Sequence, residues 1–263
     1  MSLWWHAQPQ WLLHLFFALT GAVAGSFINV VIYRVPLMIA QENNLRYNLF
    51  LPRSHCPACC QTLNWYHTLP ILSWLLLKGR CGWCSKKISI RYLLVELFFT
   101  LLALLLSYLK QDLTEAFFSL LFCGFLLPLT LIDLRTKMLP DMLTLPFLWA
   151  GLLFHALAPA SFPTLADAVY GAVAGYVALW LLYWLFYGIT GREGLGYGDF
   201  KLLAALGAWF GWAMLPGILL LAASLGLIAA VFARLVSNKK LTREIPFGPF
   251  LAAAGLAFYF SPF

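Results

Sequence analysis

Charged residues are scarce in this chain. Only 17 of its 263 residues are Lys or Arg and 10 are Asp or Glu, whereas 62% are hydrophobic and the mean hydropathy is +0.83. Soluble globular domains carry about 25% charged residues. The composition therefore excludes that class and predicts a protein that lies in a lipid bilayer.

The chain also lacks a glycine-rich nucleotide loop, internal repeats and low-complexity linkers. Ala22-Val23-Ala24 has the small residues of a signal cleavage site, but the ten residues at the N-terminus contain no Lys or Arg. Secretory signals begin with a basic segment. A retained first helix, followed by the basic residue Arg34, is therefore the favoured interpretation.

Apolar runs dominate what is present. A transmembrane helix needs about 20 apolar residues, and eight runs approach this length, so the sequence predicts an all-α, polytopic membrane helical bundle of about eight transmembrane helices. The runs cover residues 11–33, 92–109, 114–132, 142–158, 167–190, 200–215, 216–236 and 246–261.

The basic residues predict the orientation of these helices. If the helices alternate in direction, the loops at 34–91, 133–141, 191–201 and 234–245 share one side, and they hold 16 of the 17 Lys and Arg residues, all but Lys110. The positive-inside rule places this side in the cytoplasm. The net charge of +7 is thus interpreted as an orientation signal and a contact with lipid headgroups, and no nucleic acid partner is expected.

The distribution of polar residues predicts three parts. Residues 1–35 hold the first transmembrane helix, residues 36–91 a cytoplasmic insert, and residues 92–263 a membrane helical bundle. Within the bundle, four glycines occur in pairs four residues apart, which suits close contact between helices. They are Gly171 and Gly175, and Gly207 and Gly211.

Cysteines are concentrated in the insert. Two C-x-x-C motifs, Cys56-Pro57-Ala58-Cys59 and Cys81-Gly82-Trp83-Cys84, have the spacing of a structural zinc site with four thiolates. Two disulfides are the weaker alternative, because cytoplasmic thiols stay reduced. Cys60 competes with Cys59 as a ligand, His55 and His67 are further candidates, and Cys123 is expected to be a packing residue.

Two acidic residues at the ends of apolar runs are candidate catalytic groups. Asp133 ends the third run and Asp199 begins the sixth, and ionisable groups at membrane depth are commonly functional. Two carboxylates in a dry site share one proton, as in aspartic proteases. The glycines before Asp199 are expected to let a substrate backbone approach.

The aspartates also have structural interpretations. Asp199 is suited to cap a helix, and Asp133 to pair as a loop charge with Arg135 or Lys137. Two further acids, Asp141 and Asp167, are expected to cap the fourth and fifth helices. The residue types alone leave both interpretations of the dyad open.

The chain resembles the type IV prepilin peptidases along almost its whole length. Asp133 is followed by Leu139-Pro140-Asp141, and Asp199 lies within a Gly-x-Gly-Asp motif. The similar segments are 25–34 (GSFINVVIYR), 52–57 (PRSHCP), 69–74 (LPILSW), 88–92 (ISIRY), 95–97 (VEL), 132–133 (ID), 139–141 (LPD) and 196–201 (GYGDFK).

This resemblance implies an aspartic endopeptidase of the bacterial cell inner membrane. Such an enzyme removes the basic leader of type IV prepilins or type II secretion pseudopilins after a glycine at the cytoplasmic face. Asp133 and Asp199 would be catalytic, with Gly196, Gly198 and Lys201 as the supporting motif. A proton-coupled transporter and a membrane-anchored zinc scaffold are the rival interpretations.

The resemblance also implies N-methylation of the new N-terminal residue with S-adenosylmethionine. Gly79 and Arg80 match a Gly-Lys pair of the family, and Glu96 is a further candidate for this activity. The chain departs from the family pattern at Thr68-Leu69-Pro70, where Asn-Ile-Pro is usual, and at Leu93, where Pro is usual. A peptidase without methyltransferase activity is therefore the alternative.

Overall fold

The computed structural model describes residues 9–40, 48–110, 112–158, 163–192, 194, 196–236 and 246–261. Across these residues the fold is α-helical and contains no β-strand, only two isolated β-bridges in the insert. The helices are α1 (Gln10–Ala40), α2 (Leu72–Leu76), α3 (Ile90–Leu109), α4 (Leu113–Thr136), α5 (Asp141–Leu157), α6 (Leu165–Thr190), α7 (Tyr197–Phe210), α8 (Leu215–Val236) and α9 (Gly248–Phe260).

Each of the eight predicted apolar runs is a helix in the described structure. Five apolar helical stretches are long enough to cross a membrane: α1, α3, α4, α6 and Trp212–Leu235, which includes most of α8. The apolar helices α5 and α9 are shorter, at 17 and 13 residues. The prediction of an all-α, polytopic membrane bundle is confirmed.

The chain forms two compact units, Met1–Gly124 and Phe125–Phe263. In the first unit, α1 packs closely on α3 because glycines remove side chains from the contact. A Cβ added to Gly25 would lie 2.8 Å from Cα of Glu96. Asn29 Nδ2 then donates a hydrogen bond to the carbonyl of Tyr92 at 3.0 Å, so α1 is fixed against the start of α3.

The insert is attached to α1 through Arg34. This buried guanidinium donates hydrogen bonds to three loop carbonyls, those of Asn48 at 2.9 Å, Leu49 at 3.3 Å and Pro52 at 2.7 Å. Arginine presents several donors in a fixed plane, which suits it to gather carbonyls from a turning loop. The segment from Asn48 to Pro52 is therefore held beside the helix.

In the second unit, α6 and α7 meet through the predicted glycine contact. Gly171 and Gly207 face each other, and a Cβ on either would collide with the carbonyl oxygen of the other. A Cβ on Gly175 would lie 2.6 Å from the carbonyl oxygen of Leu203. Gly211 instead ends α7 with a positive φ of 73°. The expectation of close helix contact is confirmed for all four glycines, since the Gly211 carbonyl carbon also lies 2.7 Å from the Cβ position of Gly171.

Helix α5 packs on α7 around Trp209. The indole Nε1 donates to the carbonyl of Phe147 at 3.0 Å, and Nε2 of the buried His155 lies 3.0 Å from the Trp209 carbonyl. Gly151 provides space for the indole, since a Cβ there would lie 2.8 Å from Trp209 Cδ1. These contacts fix α7, and with it Asp199, against α5.

Asp141 and Asp167, which were predicted to cap helices, each lie inside the first turn of a helix and not at its N-cap position. Thr164 is the N-cap of α6, and Asp167 completes a capping box with it, accepting from Thr164 Oγ1 at 2.6 Å. Pro140 is the N-cap of α5, so Asp141 is the first helical residue. The Asp141 side chain is used for a different contact, described below.

Candidate active site and metal centre

Asp133 lies in the last turn of α4. Its side chain is 4% exposed, and Oδ2 has no hydrogen-bond partner among the described residues. The helix ends three residues later, at Thr136, because Lys137 adopts a left-handed φ of 55°, and the Lys137 N–H bonds back to the Asp133 carbonyl at 2.9 Å. The chain then turns through Met138, Leu139 and Pro140 into α5.

Asp199 is the third residue of α7 and is 8% exposed. Its Oδ2 accepts a hydrogen bond from the backbone N–H of Gly196 at 3.3 Å. A carboxylate that accepts a backbone N–H in the first turn stabilises a helix start. Asp199 thus contributes to capping its helix, but it does so from the third helical position, and Gly196 is the N-cap residue.

The structure brings the two aspartates together. Both side chains are buried in the second unit, and they lie close enough for the charge of Asp133 to act on Asp199. Neighbouring carboxylates in a site of low dielectric cannot both ionise without a large cost. The pair is therefore suited to hold a single proton between its two members.

Leu139, in the turn after Asp133, packs between the starts of α7 and α9. A Cβ on Gly198 would lie 2.7 Å from Leu139 Cβ, and a Cβ on Gly248 would lie 3.2 Å from Leu139 Cδ1. The missing side chain of Gly198 thus makes room for Leu139. Gly196 has a more open surrounding, since the nearest atom to a Cβ there would be Asp199 Oδ2 at 3.6 Å.

Gly248 is a site residue that the sequence reasoning missed. It is the first residue of α9, its backbone N–H interacts with the Asp133 carboxylate, and a Cβ at this position would lie 2.5 Å from Asp133 Oδ2. The available signal was Gly248-Pro249 at the start of the last apolar run. A Gly-Pro pair there indicates a helix start that a neighbouring group approaches closely.

Lys201 and Asp141 join the same two segments on the outside of the site. Lys201 Nζ lies 2.6 Å from Asp141 Oδ1 and 2.8 Å from Oδ2. Asp141 begins the helix that follows the Asp133 turn, and Lys201 lies two residues after Asp199. The ion pair therefore holds the start of α5 beside the start of α7.

The four predicted cysteine ligands form one cluster in the insert. The Sγ atoms of Cys56, Cys59, Cys81 and Cys84 all lie within 4.8 Å of one another, and those of Cys56 and Cys84 are 3.8 Å apart. Zn–S bonds of about 2.3 Å in a tetrahedron place sulfur atoms roughly 3.8 Å apart. The donor set and its spacing fit a zinc ion.

Both cysteine pairs adopt the same turn. The N–H of Cys60 bonds to the Cys56 carbonyl at 2.9 Å, and the N–H of Ser85 bonds to the Cys81 carbonyl at 3.0 Å. Cys60 and Ser85 each have a positive φ of 56°. Cys60 is therefore the turn residue that corresponds to Ser85, and it lies outside the thiol cluster, as do His55 and His67.

Backbone amides in these turns favour the thiolate form of Cys56 and Cys81. The N–H groups of Cys84 and Trp83 lower the pKa of the Cys81 thiol to about 6. Those of Ala58 and Cys59 lower the pKa of Cys56. At Cys59 the backbone N–H of Gln61 lowers the pKa, but burial and the three neighbouring thiols outweigh it and raise the pKa to about 11. Because the thiolate is the form that binds metal, the environment of Cys56 and Cys81 agrees with the fit of the four sulfur atoms.

The three candidate methyltransferase residues have structural contacts in the first unit. Gly79 has a φ of 67° and lies against Trp74, and Arg80 forms an antiparallel bridge with Lys87. Glu96 is buried, and its Oε2 accepts the backbone N–H of Ile71 at 2.7 Å. Glu96 is thus occupied by the insert, while the Arg91 guanidinium lies 5.3 Å from the centre of the Tyr92 ring.

Two family models match the chain. The bacterial peptidase A24 N-terminal domain matches residues 19–110, and the type IV leader peptidase family matches residues 120–231. The first match contains the cysteine cluster and Glu96, and the second contains Asp133 and Asp199. The first matched segment lies within the first compact unit, and the second lies in the second unit except for residues 120–124.

Several curated relatives are similar over nearly their full length. A prepilin leader peptidase/N-methyltransferase of Aeromonas salmonicida (strain A449) is 46% identical over 267 residues, which cover 95% of this chain and 91% of the relative. Proteins of the same name from Dichelobacter nodosus and Burkholderia pseudomallei (strain K96243) are 44% and 42% identical, and cover 91% and 98% of this chain and 88% and 89% of the relatives. No solved structure is significantly similar. The chain therefore belongs to the type IV leader peptidase family.

Proposed function

We propose that this chain is a prepilin leader peptidase and N-methyltransferase of the bacterial inner membrane. It removes the leader of type IV prepilins or type II secretion pseudopilins after a glycine, at the cytoplasmic face, and then methylates the new N-terminal residue. The observation that carries the peptidase function is the buried pair of carboxylates, Asp133 and Asp199, in one unit of the fold.

The two aspartates divide the proton transfers of hydrolysis between them. The ionised member accepts a proton from the attacking water, while the protonated member donates a hydrogen bond to the scissile carbonyl. The proton taken from water then passes to the departing amine. Asp133 is suited to the first role, because its Oδ2 is buried and makes no hydrogen bond to the described residues that a water molecule would have to displace.

The position of the pair suits a substrate that is itself a membrane helix. Asp133 ends α4 and Asp199 begins α7, and the topology predicted from the basic residues places both at the cytoplasmic boundary. A prepilin enters laterally as an apolar helix, and its basic leader stays in the cytoplasm by the same charge rule that orients this chain. Its cleavage site then lies at the level of the aspartates.

Methylation is assigned to the unit that carries the insert. Four thiolates around zinc form a closed coordination shell, so the metal holds the insert together and leaves no position for a reactant. S-adenosylmethionine is the methyl donor, which the names of the relatives support. Glu96 supports this activity by holding Ile71 in place, and Gly79 and Arg80 support it by shaping the second cysteine turn.

The test is cleavage of a purified prepilin by the detergent-solubilised chain with S-adenosylmethionine present, followed by mass spectrometry. We expect the mature pilin with the added mass of one methyl group. A mature pilin without that added mass would support the peptidase activity and contradict the methyltransferase activity. Failure to cleave any prepilin or pseudopilin would contradict the proposal and favour a transport function for the carboxylates.

A further inference from the structure

The insert has an unbalanced positive charge. Between Glu42 and Glu96 the sequence contains seven Lys and Arg residues and no Asp or Glu. Lys78, Arg80, Lys86 and Lys87 are all exposed, and the bridge between Arg80 and Lys87 sets two of these residues side by side. A surface of this kind attracts an anionic partner.

Next to these cations, helix α2 carries an unpartnered apolar face. Leu72, Leu75 and Leu76, which we call the leucine face, lie at spacings of three and four residues and therefore on one side of the helix. They are 57%, 53% and 80% exposed. Trp65, in the 3-10 turn that packs beside α2, is 76% exposed.

The opposite side of α2 is already used inside the insert. Trp74 lies under Gly79, where a Cβ would be 2.7 Å from the indole, and Leu77 lies 3.6 Å from the Cβ position of Gly82 in the second cysteine turn. The helix is thus packed on the cysteine module by one face. The leucine face points away from it, and a contiguous exposed apolar patch on so small a module marks a contact surface.

The hydrogen bond between Ile71 and Glu96 indicates how deep α2 lies in the bilayer. The N–H of Ile71, immediately before α2, bonds to Glu96 at 2.7 Å, and Glu96 is the seventh residue of the 20-residue helix α3. A 20-residue helix is about 30 Å long, which equals the hydrocarbon thickness of a bilayer. Glu96 lies about 9 Å along it, so with α3 spanning the hydrocarbon end to end, α2 begins about 9 Å inside the boundary, within the roughly 5–10 Å depth at which interfacial helices bury their apolar face.

We propose that the leucine face docks the insert onto an anionic lipid surface. The three leucines and Trp65 enter the boundary between headgroups and acyl chains, and Lys78, Arg80, Lys86 and Lys87 contact lipid phosphates. Amphipathic segments with apolar residues on one face and cations at the rim bind membranes in this way. The two ends of the insert are joined to membrane helices, so the surface is always within reach.

Charge decides between lipid and substrate as the occupant. The leader of a prepilin is basic, under the proposed function, and it is repelled by an insert that has no carboxylate between Glu42 and Glu96. An anionic bilayer has the complementary charge. The inference concerns the membrane and goes beyond the cleavage reaction, so it holds or fails independently of peptidase activity.

Hydrogen–deuterium exchange of the full chain in lipid nanodiscs tests the inference. We expect exchange in residues 65–78 to be several-fold slower in phosphatidylcholine discs that contain phosphatidylglycerol than in discs of phosphatidylcholine alone. Residues 55–62, in the first cysteine turn, serve as the internal control and should exchange equally in both. The double variant Leu72→Gln/Leu76→Gln should lose the lipid-dependent slowing and keep the control rate.

Two results would overturn the inference. Equal exchange of residues 65–78 in the two kinds of disc would show that anionic lipid does not bind the leucine face. Slowing that occurs only when prepilin is added would assign the leucine face to the substrate instead. Wild-type cleavage activity, measured on the same preparation, keeps this test separate from that of the proposed function.

Discussion

Asp133 and Asp199 are both buried, yet they are held by different parts of the backbone. Asp199 is fixed within its own helix start, because it accepts the Gly196 N–H at 3.3 Å. Asp133 depends on a distant segment, since Gly248 supplies both an N–H and the space beside Oδ2. At the scale of single residues, the geometry of the pair therefore rests on a glycine 115 positions after Asp133 in the chain.

Replacement of that glycine should impair catalysis more than substrate binding. In Gly248→Ala the new Cβ would lie 2.5 Å from Asp133 Oδ2, which forces the carboxylate to move. A displacement of about 1 Å can cost about 100-fold in rate. We expect a loss of this order in kcat for prepilin cleavage with little change in KM, measured in detergent.

Gly226→Ala in α8 is the matched control. Its Cβ would meet only the ring of Phe250, at 3.4 Å, so it should cleave at the wild-type rate. If Gly248→Ala also cleaves at that rate, Gly248 has no part in positioning Asp133. A thermal melt of both variants shows whether a loss of rate comes from unfolding.

At the scale of helices, close backbone contact and one ion pair fix α7. Gly171 and Gly207 bring α6 against α7, and Asp141 with Lys201 joins α5 to α7. The first contact is buried backbone that cannot move aside. The second is a partly exposed ion pair, with side-chain exposures of 57% and 30%, so its contribution is small.

Gly207→Ala should destabilise the bundle, because its Cβ would strike the Gly171 carbonyl. Overpacking of this kind costs about 1–3 kcal/mol, and we expect a lower Tm in a detergent melt. Gly188→Ala in α6 is the control, since nothing lies within 4 Å of its Cβ position. Equal melting of both variants would contradict the close contact of α6 and α7.

Charge exchange tests the ion pair. An exposed pair contributes about 1 kcal/mol or less, so Asp141→Lys and Lys201→Asp should each lower cleavage by less than about tenfold. The double variant restores the attraction and should recover most of the rate. A double variant as poor as the product of the two single effects would show that the residues act separately.

The elements were predictable from the sequence because apolar runs and glycine spacing are local patterns. The four-thiol cluster was predictable for the same reason, since Cys56 and Cys59 lie within one turn. The roles of Gly248 and Lys201 were not, because they depend on which helices become neighbours. Leu139 was named as part of the Leu139-Pro140-Asp141 segment, but its position between Gly198 and Gly248 was not predictable, because an apolar residue in an apolar chain carries no signal of its neighbours.

At the scale of the whole molecule, the two units carry two sets of candidate functional groups. The cysteine cluster and Glu96 lie in Met1–Gly124, and the aspartates lie in Phe125–Phe263. The two family models follow the same division, at residues 19–110 and 120–231. Damage to the insert should therefore affect methylation more than cleavage.

Cys81→Ser should lose zinc and methyl transfer together. Three thiolates cannot complete the tetrahedral site, and small domains with a four-thiolate zinc site commonly need the metal to fold. We expect one zinc per chain in the wild type by elemental analysis, and a large loss in the variant. Cys60→Ser is the control and should keep its zinc, because Cys60 lies outside the cluster; zinc loss in that variant would contradict the assignment.

The most direct test of the account is prepilin cleavage by Asp133→Asn and Asp199→Asn, each compared with wild type at equal zinc content and equal thermal stability. Loss of a general acid or base costs about 10²–10⁴-fold, so both variants should lose cleavage by at least this much. The double variant should be no worse than the poorer single variant, because the pair acts as a unit. Undiminished cleavage in either single variant would contradict the aspartyl mechanism.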